Sequence, residues 1–246
     1  KNKTNSQDSW EKAYEQKGKN TEATMFFAYR DSFIFLGIRN KNEFGKAEVL
    51  FSENNGTDWE ALDEAGFGEN VDEVVDLMAT HALRRGKIRD AYISTSDGRI
   101  LRRVKKGEWE AVYTAEEGSG AVTDLKKIGG TILAGVETVN GAEIIASTNG
   151  SDWITVVADG MGNANNSSIR RLKMIRNKIY ALVTNTVDGA EIWEATVGGL
   201  ATWTQAQSAG IIDTDNTEIN HITSFLGKLF YSTTNAVDGA LILIAR

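Results

Sequence analysis

Short apolar runs recur along the chain, and most of them end at Gly, Asn, Asp or Ser. The run Ile132 to Val136 is small and apolar throughout, which is typical of a strand that is buried on both faces. Elsewhere apolar and polar residues alternate, as they do in half-buried strands. The clearest unit predicts four strands, A to D, over residues 169–176, 179–185, 190–196 and 202–208. The pattern therefore predicts small four-stranded sheets that stack against one another.

Five of the six tryptophans mark a repeat, with spacings of 44 to 50 residues. A glycine follows each of these tryptophans by seven to nine residues. Four-stranded units of about 40 to 50 residues are typical of the blades of a β-propeller. The sequence therefore predicts an all-β chain, a five-bladed β-propeller of four-stranded antiparallel blades. The markers are Trp10, Trp59, Trp109, Trp153 and Trp203, followed by Gly18, Gly66, Gly118, Gly160 and Gly210.

The predicted blades together form one domain over residues 1–246. The last blade has no strand D of its own in this sequence. Residues 5–11 match residues 54–60, where a turn leads into a strand D, so we expect the N-terminal strand to complete the C-terminal blade. Such closure would cover sheet edges that otherwise promote aggregation. The blades span residues 21–66, 67–118, 119–160, 161–210, and 211–246 together with 1–20.

The turn before strand D resembles the Asp-box, the bacterial neuraminidase repeat, whose pattern is Ser-x-Asp-x-Gly-x-x-Trp. Residues 52–59 fit with Asn54 in place of Asp, and residues 147–153 fit with one residue fewer. Residues 159–166, with the strand after them, look like exported prokaryotic propeller repeats. The resemblance implies that Asn54 and Asn149 bond local backbone and that the tryptophans pack between blades. It does not imply sialidase activity, because sialidases resemble six-bladed propellers with an Arg cluster.

Composition narrows the classes of partner. The net charge is -7, which disfavours nucleic acid, because nucleic-acid binding depends on basic surface. The sequence contains no apolar run long enough to span a membrane. The absence of cysteine excludes disulfides and thiolate chemistry and fits an extracellular or periplasmic protein. We expect a monomer.

The candidate ligand-binding residues lie in the loops from strand D to strand A and from strand B to strand C, which share one face of a propeller. Short amides and carboxylates there can hydrogen-bond sugar hydroxyls or hold a hard cation, although turn chemistry also selects these residue types. They are Asn165, Asn166, Asp188, Asp213, Asp215 and Asp238.

These loops predict a non-catalytic exported binding module for a glycan or a cell-surface or extracellular protein partner. Two alternatives remain. One is a structural or assembly scaffold. The other is a glycoside hydrolase that uses two carboxylates about 5 to 9.5 Å apart.

Metal binding is predicted at one place only. Asp213, Asp215 and Glu218 offer oxygen ligands as calcium loops do, but without the glycine and spacing of an EF-hand. We therefore expect no cofactor other than, at most, calcium. His81 and His221 are isolated, so they favour structural hydrogen bonds over zinc.

Basic residues cluster in the second unit of an otherwise acidic chain. They could bind a carboxylate, a sulfate or a partner protein, or they could keep a blade edge soluble. They are Arg84, Arg85, Lys87, Arg89, Arg99, Arg102, Arg103, Lys105 and Lys106.

Overall fold

The computed structural model describes residues 12–15, 21–29, 33–83 and 87–245. These residues form five antiparallel sheets, and the strands of each sheet pair in the order in which they follow along the chain. Two short 3-10 helices, Ala65–Gly68 and Asp159–Gly162, lie in the connections between sheets.

The first two sheets contain β1 (Thr21–Tyr29), β2 (Phe33–Asn40), β3 (Glu48–Ser52) and β4 (Glu60–Ala61), then β5 (Val74–Leu83), β6 (Lys87–Thr95), β7 (Arg99–Lys105) and β8 (Glu108–Thr114). The next two contain β9 (Val122–Ile128), β10 (Thr131–Thr138), β11 (Gly141–Ser147) and β12 (Ile154–Val157), then β13 (Ser168–Ile175), β14 (Lys178–Thr184), β15 (Glu191–Thr196) and β16 (Thr204–Gln207). The fifth contains β17 (Asn216–Phe225), β18 (Lys228–Asn235) and β19 (Ile242–Ile244).

The five sheets are the blades of a β-propeller, as the sequence predicted. The first strands of successive blades contact each other, from β1 to β5, β9, β13 and β17, so strand A of each blade lies innermost. Strands β13 to β16 begin and end within two residues of the strands predicted for that unit. The predicted fourth strand of the last blade falls on residues 5–11, which lie outside the described residues, so strand closure stays a prediction.

The core lies between the blades. All five residues from Ile132 to Val136 are buried, which confirms that β10 packs on both faces. Gly135 allows the closest approach, because a Cβ atom at this position would lie 2.7 Å from the Cβ atom of Ile169 in the next blade. Clusters of buried residues join each described pair of consecutive blades in the same way. Inter-blade packing therefore accounts for the apolar strands.

Two aspartates tie the inner strands together. The Asp76 carboxylate accepts a hydrogen bond from the backbone N–H of Leu125 (3.0 Å), and the Asp124 carboxylate accepts one from Leu172 (2.8 Å). Each bond joins strand A of one blade to strand A of the next. Burial raises the pKa of Asp124 to about 6, while nearby Lys126 acts in the opposite direction. This carboxyl group therefore links blade packing to pH.

The outer edge carries a second link between blades, made by the residue four positions after a repeat tryptophan. Asp63 follows Trp59 by four positions and accepts a hydrogen bond from the indole Nε1–H of Trp109 in the next blade (2.9 Å). Tyr113 follows Trp109 by four positions and packs on Trp153, with ring centroids 6.3 Å apart. Trp109 and Trp153 therefore contact the preceding blade, in accord with their predicted inter-blade role.

The N-terminal segment makes the same kind of contact. Tyr14 follows Trp10 by four positions, and its ring lies 6.0 Å from that of Trp59 in the first blade. A segment that belongs to the blade before the first would place Tyr14 in this way. Ile242 on β19 is 78% exposed, whereas its counterpart Ile192 in the fourth blade is 0% exposed. Closure of the ring stays a prediction, which the Tyr14 contact allows to be tested.

In the part of the chain that the structure describes, no helix has the length and apolar character needed to cross a membrane.

Candidate functional site

The glycines of the repeat bring two kinds of loop together on one face. A Cβ atom at Gly189, in the loop between β14 and β15, would lie 2.6 Å from the Cα atom of Gly210, in the connection from β16 to β17. Both residues have positive φ, 92° and 68°, which is the left-handed region that favours glycine. Gly141 and Gly160 make the equivalent contact one blade earlier. We call the surface formed by these connections and loops the loop face.

In the fourth blade the polar residues of the loop face bond to one another. The Asp188 carboxylate accepts hydrogen bonds from the side-chain amides of Asn163 (2.9 Å), Asn165 (3.0 Å) and Asn185 (3.5 Å). These bonds, with that from Asn163 first, hold the pKa of Asp188 below its usual value. Asn165 and Asp188 therefore lie together on one face, as the sequence predicted. The hydrogen bonds of this group are largely internal to it.

Asn166 belongs to the scaffold rather than to the surface. Its side chain is fully buried and donates to the carbonyl oxygen of Gly160 (2.8 Å) and to Glu191 (2.9 Å). Its amide oxygen accepts a hydrogen bond from Asn185 (2.9 Å). Asn166 was predicted to bind a ligand, but its side chain has no exposed surface with which to do so, because the loop folds over it.

The fifth blade carries the same arrangement with different charges. Asp213, Asp215 and Asp238 bring one carboxylate oxygen each within 4.8 Å of the others. They occupy the places of Asn163, Asn165 and Asp188, each 50 residues earlier in the chain. Ionised carboxylates only accept hydrogen bonds, and like charges at this distance repel. We call these three residues the acidic cluster, and its charge favours a cationic ligand group.

Glu218 lies apart from the acidic cluster. It accepts a long hydrogen bond from the Thr234 hydroxyl (3.4 Å) and lies 3.8 Å from the Arg170 guanidinium. The structure therefore groups Asp238, in place of Glu218, with two of the residues predicted to bind calcium. Two oxygens bound to one calcium ion can lie at most about 5 Å apart, so the separation in the acidic cluster fits such an ion.

Apolar loop residues are a feature of this face that the sequence interpretation missed. Val187, Ile212 and Val237 are exposed, and each directly precedes an aspartate of the loop face. The signal was present in the sequence, because Val187-Asp188-Gly189 and Val237-Asp238-Gly239 repeat the same three residues. We call Val187-Asp188, Ile212-Asp213 and Val237-Asp238 the apolar–acidic doublets.

Much of the predicted basic sector is neutralised within the protein. Arg99 pairs with Asp97 (2.7 Å) and Glu69 (3.5 Å), and Arg103 pairs with Asp63 (2.7 Å). Arg102 donates to Ser151 and Lys105 pairs with Glu108, whereas Lys106 is exposed. Most of the described basic residues therefore bond to partners within the protein rather than being available to bind an external anion. The side chains of Arg84, Arg85, Lys87 and Arg89 lie outside the described residues.

The structure describes the side chain of one of the two histidines. His221 lies on β17 and its side chain is exposed. The side chain of His81 lies outside the described residues.

No protein-family model and no curated protein matches this chain. Solved structures do match it. A chain of the nidogen/laminin complex has a TM-score of 0.56 at 9% identity over 90% of this chain and 75% of that one. The WD40 β-propeller domain of Doa1 has a TM-score of 0.56 at 15% identity, over 93% and 66%. YCF48 bound to a D1 peptide has a TM-score of 0.52 at 10% identity, over 85% and 64%.

At these identities the similarity concerns the fold alone. This chain is a β-propeller, a fold that often serves as a binding or scaffold module.

Proposed function

We propose that this propeller is a non-catalytic binding module whose ligand contacts the loop face at the fourth and fifth blades. The observation that carries the proposal is the acidic cluster. Asp213, Asp215 and Asp238 stand together where the preceding repeat places Asn163, Asn165 and Asp188 in internal hydrogen bonds. A cationic group from outside the chain would relieve the repulsion among the three carboxylates. The exposed member of the preceding group, Asn165, extends the same surface.

Two of the similar structures are complexes, the nidogen/laminin complex and YCF48 with its D1 peptide. They support a protein partner as the ligand class. A glycan is the second candidate, because Asn165 and Asp215 are exposed polar groups on the same face. We further propose that the protein is exported and monomeric. The absence of cysteine supports export.

The test is a screen of glycan and extracellular-protein arrays, run with calcium and with a chelator. The affinity of any ligand found in the screen is then compared between the wild type and the Asp213→Asn/Asp215→Asn double variant. Its amides reproduce the residues of the preceding repeat, so the variant should fold. We expect binding to weaken about tenfold or more, because hydrogen bonds to charged groups contribute more than about 1 kcal/mol each.

The matched control replaces Asn54 and Asn149 with alanine. Both lie in turns at the opposite end of the blades, where Asn54 accepts the backbone N–H of Asp58 (2.9 Å) and Asn149 that of Asp152 (2.8 Å). Binding should survive these changes. Loss of binding in the folded control, with no loss in the Asp213→Asn/Asp215→Asn variant, would contradict the assigned face. Calorimetric titration with calcium alone shows whether the cluster holds an ion itself or meets a cationic group of the ligand.

A further inference from the structure

Exposed aliphatic side chains directly precede an aspartate at three loop tips of the loop face. Val187 is 67% exposed, Ile212 is 70% exposed and Val237 is 71% exposed. Single exposed apolar residues are common on protein surfaces and need no explanation. These three differ because each is followed directly by Asp, in Val187-Asp188, Ile212-Asp213 and Val237-Asp238. The repeated pairing joins apolar surface to negative charge.

The loop tips that carry two of these doublets are held in place by side-chain hydrogen bonds. The Asn185 amide oxygen accepts the backbone N–H groups of Val187 (3.0 Å) and Asp188 (2.7 Å). Asn235 holds the next loop in the same way, with bonds from Val237 (2.9 Å) and Asp238 (2.8 Å). A ligand that binds a preorganised loop orders fewer residues, so less conformational entropy is lost. The valines are therefore presented by a fixed backbone.

The segments that carry the three doublets are adjacent to one another. The loop that carries Val187-Asp188 contacts the connection that carries Ile212-Asp213, since a Cβ atom at Gly189 would lie 2.9 Å from the carbonyl oxygen of Thr214. That connection in turn meets the next loop, because Asp213 and Asp238 belong to one cluster within 4.8 Å. Asn235, in the loop that carries Val237-Asp238, also donates a hydrogen bond to Asp213 (3.0 Å). A single extended ligand segment can therefore reach all three doublets.

We propose that the apolar–acidic doublets bind a peptide segment of a protein partner in which Lys or Arg alternates with aliphatic or aromatic side chains. The inference rests on the proposed binding function of the loop face and deepens it by naming the ligand class. Charge complementarity selects this occupant, because the acidic cluster matches a cationic head and the valines match apolar side chains and the stems of Lys or Arg. A neutral glycan would leave the carboxylates without a counter-charge.

The experiment selects binders from a phage-displayed library of random short peptides on the immobilised full chain. We expect the enriched peptides to combine Lys or Arg with Leu, Ile or Phe. The strongest one is then synthesised, and its affinity is measured by fluorescence polarisation for the wild type and two triple variants. Val187→Ser/Ile212→Ser/Val237→Ser removes the apolar part, and Asp213→Asn/Asp215→Asn/Asp238→Asn removes the charge. Each should weaken binding about tenfold or more.

The matched control is Phe225→Ser/Leu226→Ser. These residues are also exposed and apolar, but they lie at the turn between β17 and β18, at the end of the blade opposite the loop face. Its affinity should stay within about twofold of the wild type. Thermal unfolding of every variant must match the wild type, so that changes in affinity report contacts.

Two results would overturn the inference. One is a library that yields no peptide above background, and the other is a selected peptide that binds both triple variants as well as the wild type. If a glycan then binds and is lost in the Asp213→Asn/Asp215→Asn variant, the loop face keeps its proposed function and only the peptide class fails. A ligand that is indifferent to every loop-face substitution would remove the proposed function as well.

Discussion

Replacing Asp63 with alanine tests how the first two blades are held together. The Asp63 carboxylate is 1% exposed and accepts hydrogen bonds from Arg103 Nε (2.7 Å), the backbone N–H of Gly107 (2.6 Å) and Trp109 Nε1 (2.9 Å). The Arg103 side chain is itself only 7% exposed. Removing one partner of such a buried pair typically costs about 3 to 5 kcal/mol, because the other charge stays buried without it. We expect a loss of stability of that size.

The measurement is urea unfolding, followed by tryptophan fluorescence and circular dichroism, together with thermal unfolding. For a domain of this length, about 1 kcal/mol shifts the unfolding midpoint by about 2 to 4 °C, so we expect a decrease of roughly 6 to 20 °C. Asp58→Ala is the matched control, since Asp58 is exposed and accepts a hydrogen bond from Asn54 within the same turn. It should change stability by about 0.5 kcal/mol or less. A loss below about 1 kcal/mol for Asp63→Ala would refute the reasoning.

Three further predictions concern the propeller itself. Trp153→Ala should cost about 3 to 5 kcal/mol in urea unfolding if the tryptophan packs between blades, and a cost below about 1 kcal/mol would contradict that role. Deleting residues 1–18 should lower the unfolding temperature of the whole domain. A double-mutant cycle of Tyr14→Ala with Trp59→Ala should give a coupling of about 0.5 to 1.5 kcal/mol, whereas additive effects and a deletion without consequence would count against closure. Burial raises the pKa of Asp124 from its ordinary 3.8 to about 6, so its protonated form contributes stability below pH 3.8 that is lost as pH rises through about 6. Asp124→Asn should therefore gain in unfolding temperature relative to the wild type between pH 4 and pH 7, and a constant difference would show that Asp124 does not titrate there.

The fold could be predicted from the sequence because each blade repeats its own turn and packing residues. Trp109 and Trp153 recur where successive blades touch, and Gly160 and Gly210 recur where a connection must adopt positive φ. The strand bulges could not be predicted in this way. The pairing of β13 with β14 shifts between Ile169 and Arg171, and this shift depends on the neighbouring strand rather than on a local signal.

The candidate site was predicted only in part, for a physical reason. Turn position placed Asp213, Asp215 and Asp238 on one face, and the structure brings them together. An asparagine in a loop looks the same in sequence whether it faces water or a buried neighbour, so the burial of Asn166 could not be predicted.

The internal partners of the basic residues in the second unit could not be predicted from the sequence either. Its partners are set by the fold, as when Asp63 reaches Arg103 forty positions away in the sequence.

The connections into the fourth and fifth blades differ in sequence between a glycine and a buried asparagine that both connections share. Asn166 and Asn216 are both fully buried, and each donates to a glycine carbonyl, that of Gly160 (2.8 Å) or Gly210 (3.0 Å). The residues between these fixed points change from Gly162-Asn163 to Ile212-Asp213. The change exposes an aliphatic side chain and replaces an amide that donates to Asp188 with a third carboxylate. The Asp213 carboxylate accepts one internal hydrogen bond, from the side-chain amide of Asn235 (3.0 Å), but the exposed aliphatic side chain and the three neighbouring carboxylates add apolar surface and repulsion. The proposed ligand, which is both apolar and cationic, would contact both of these features.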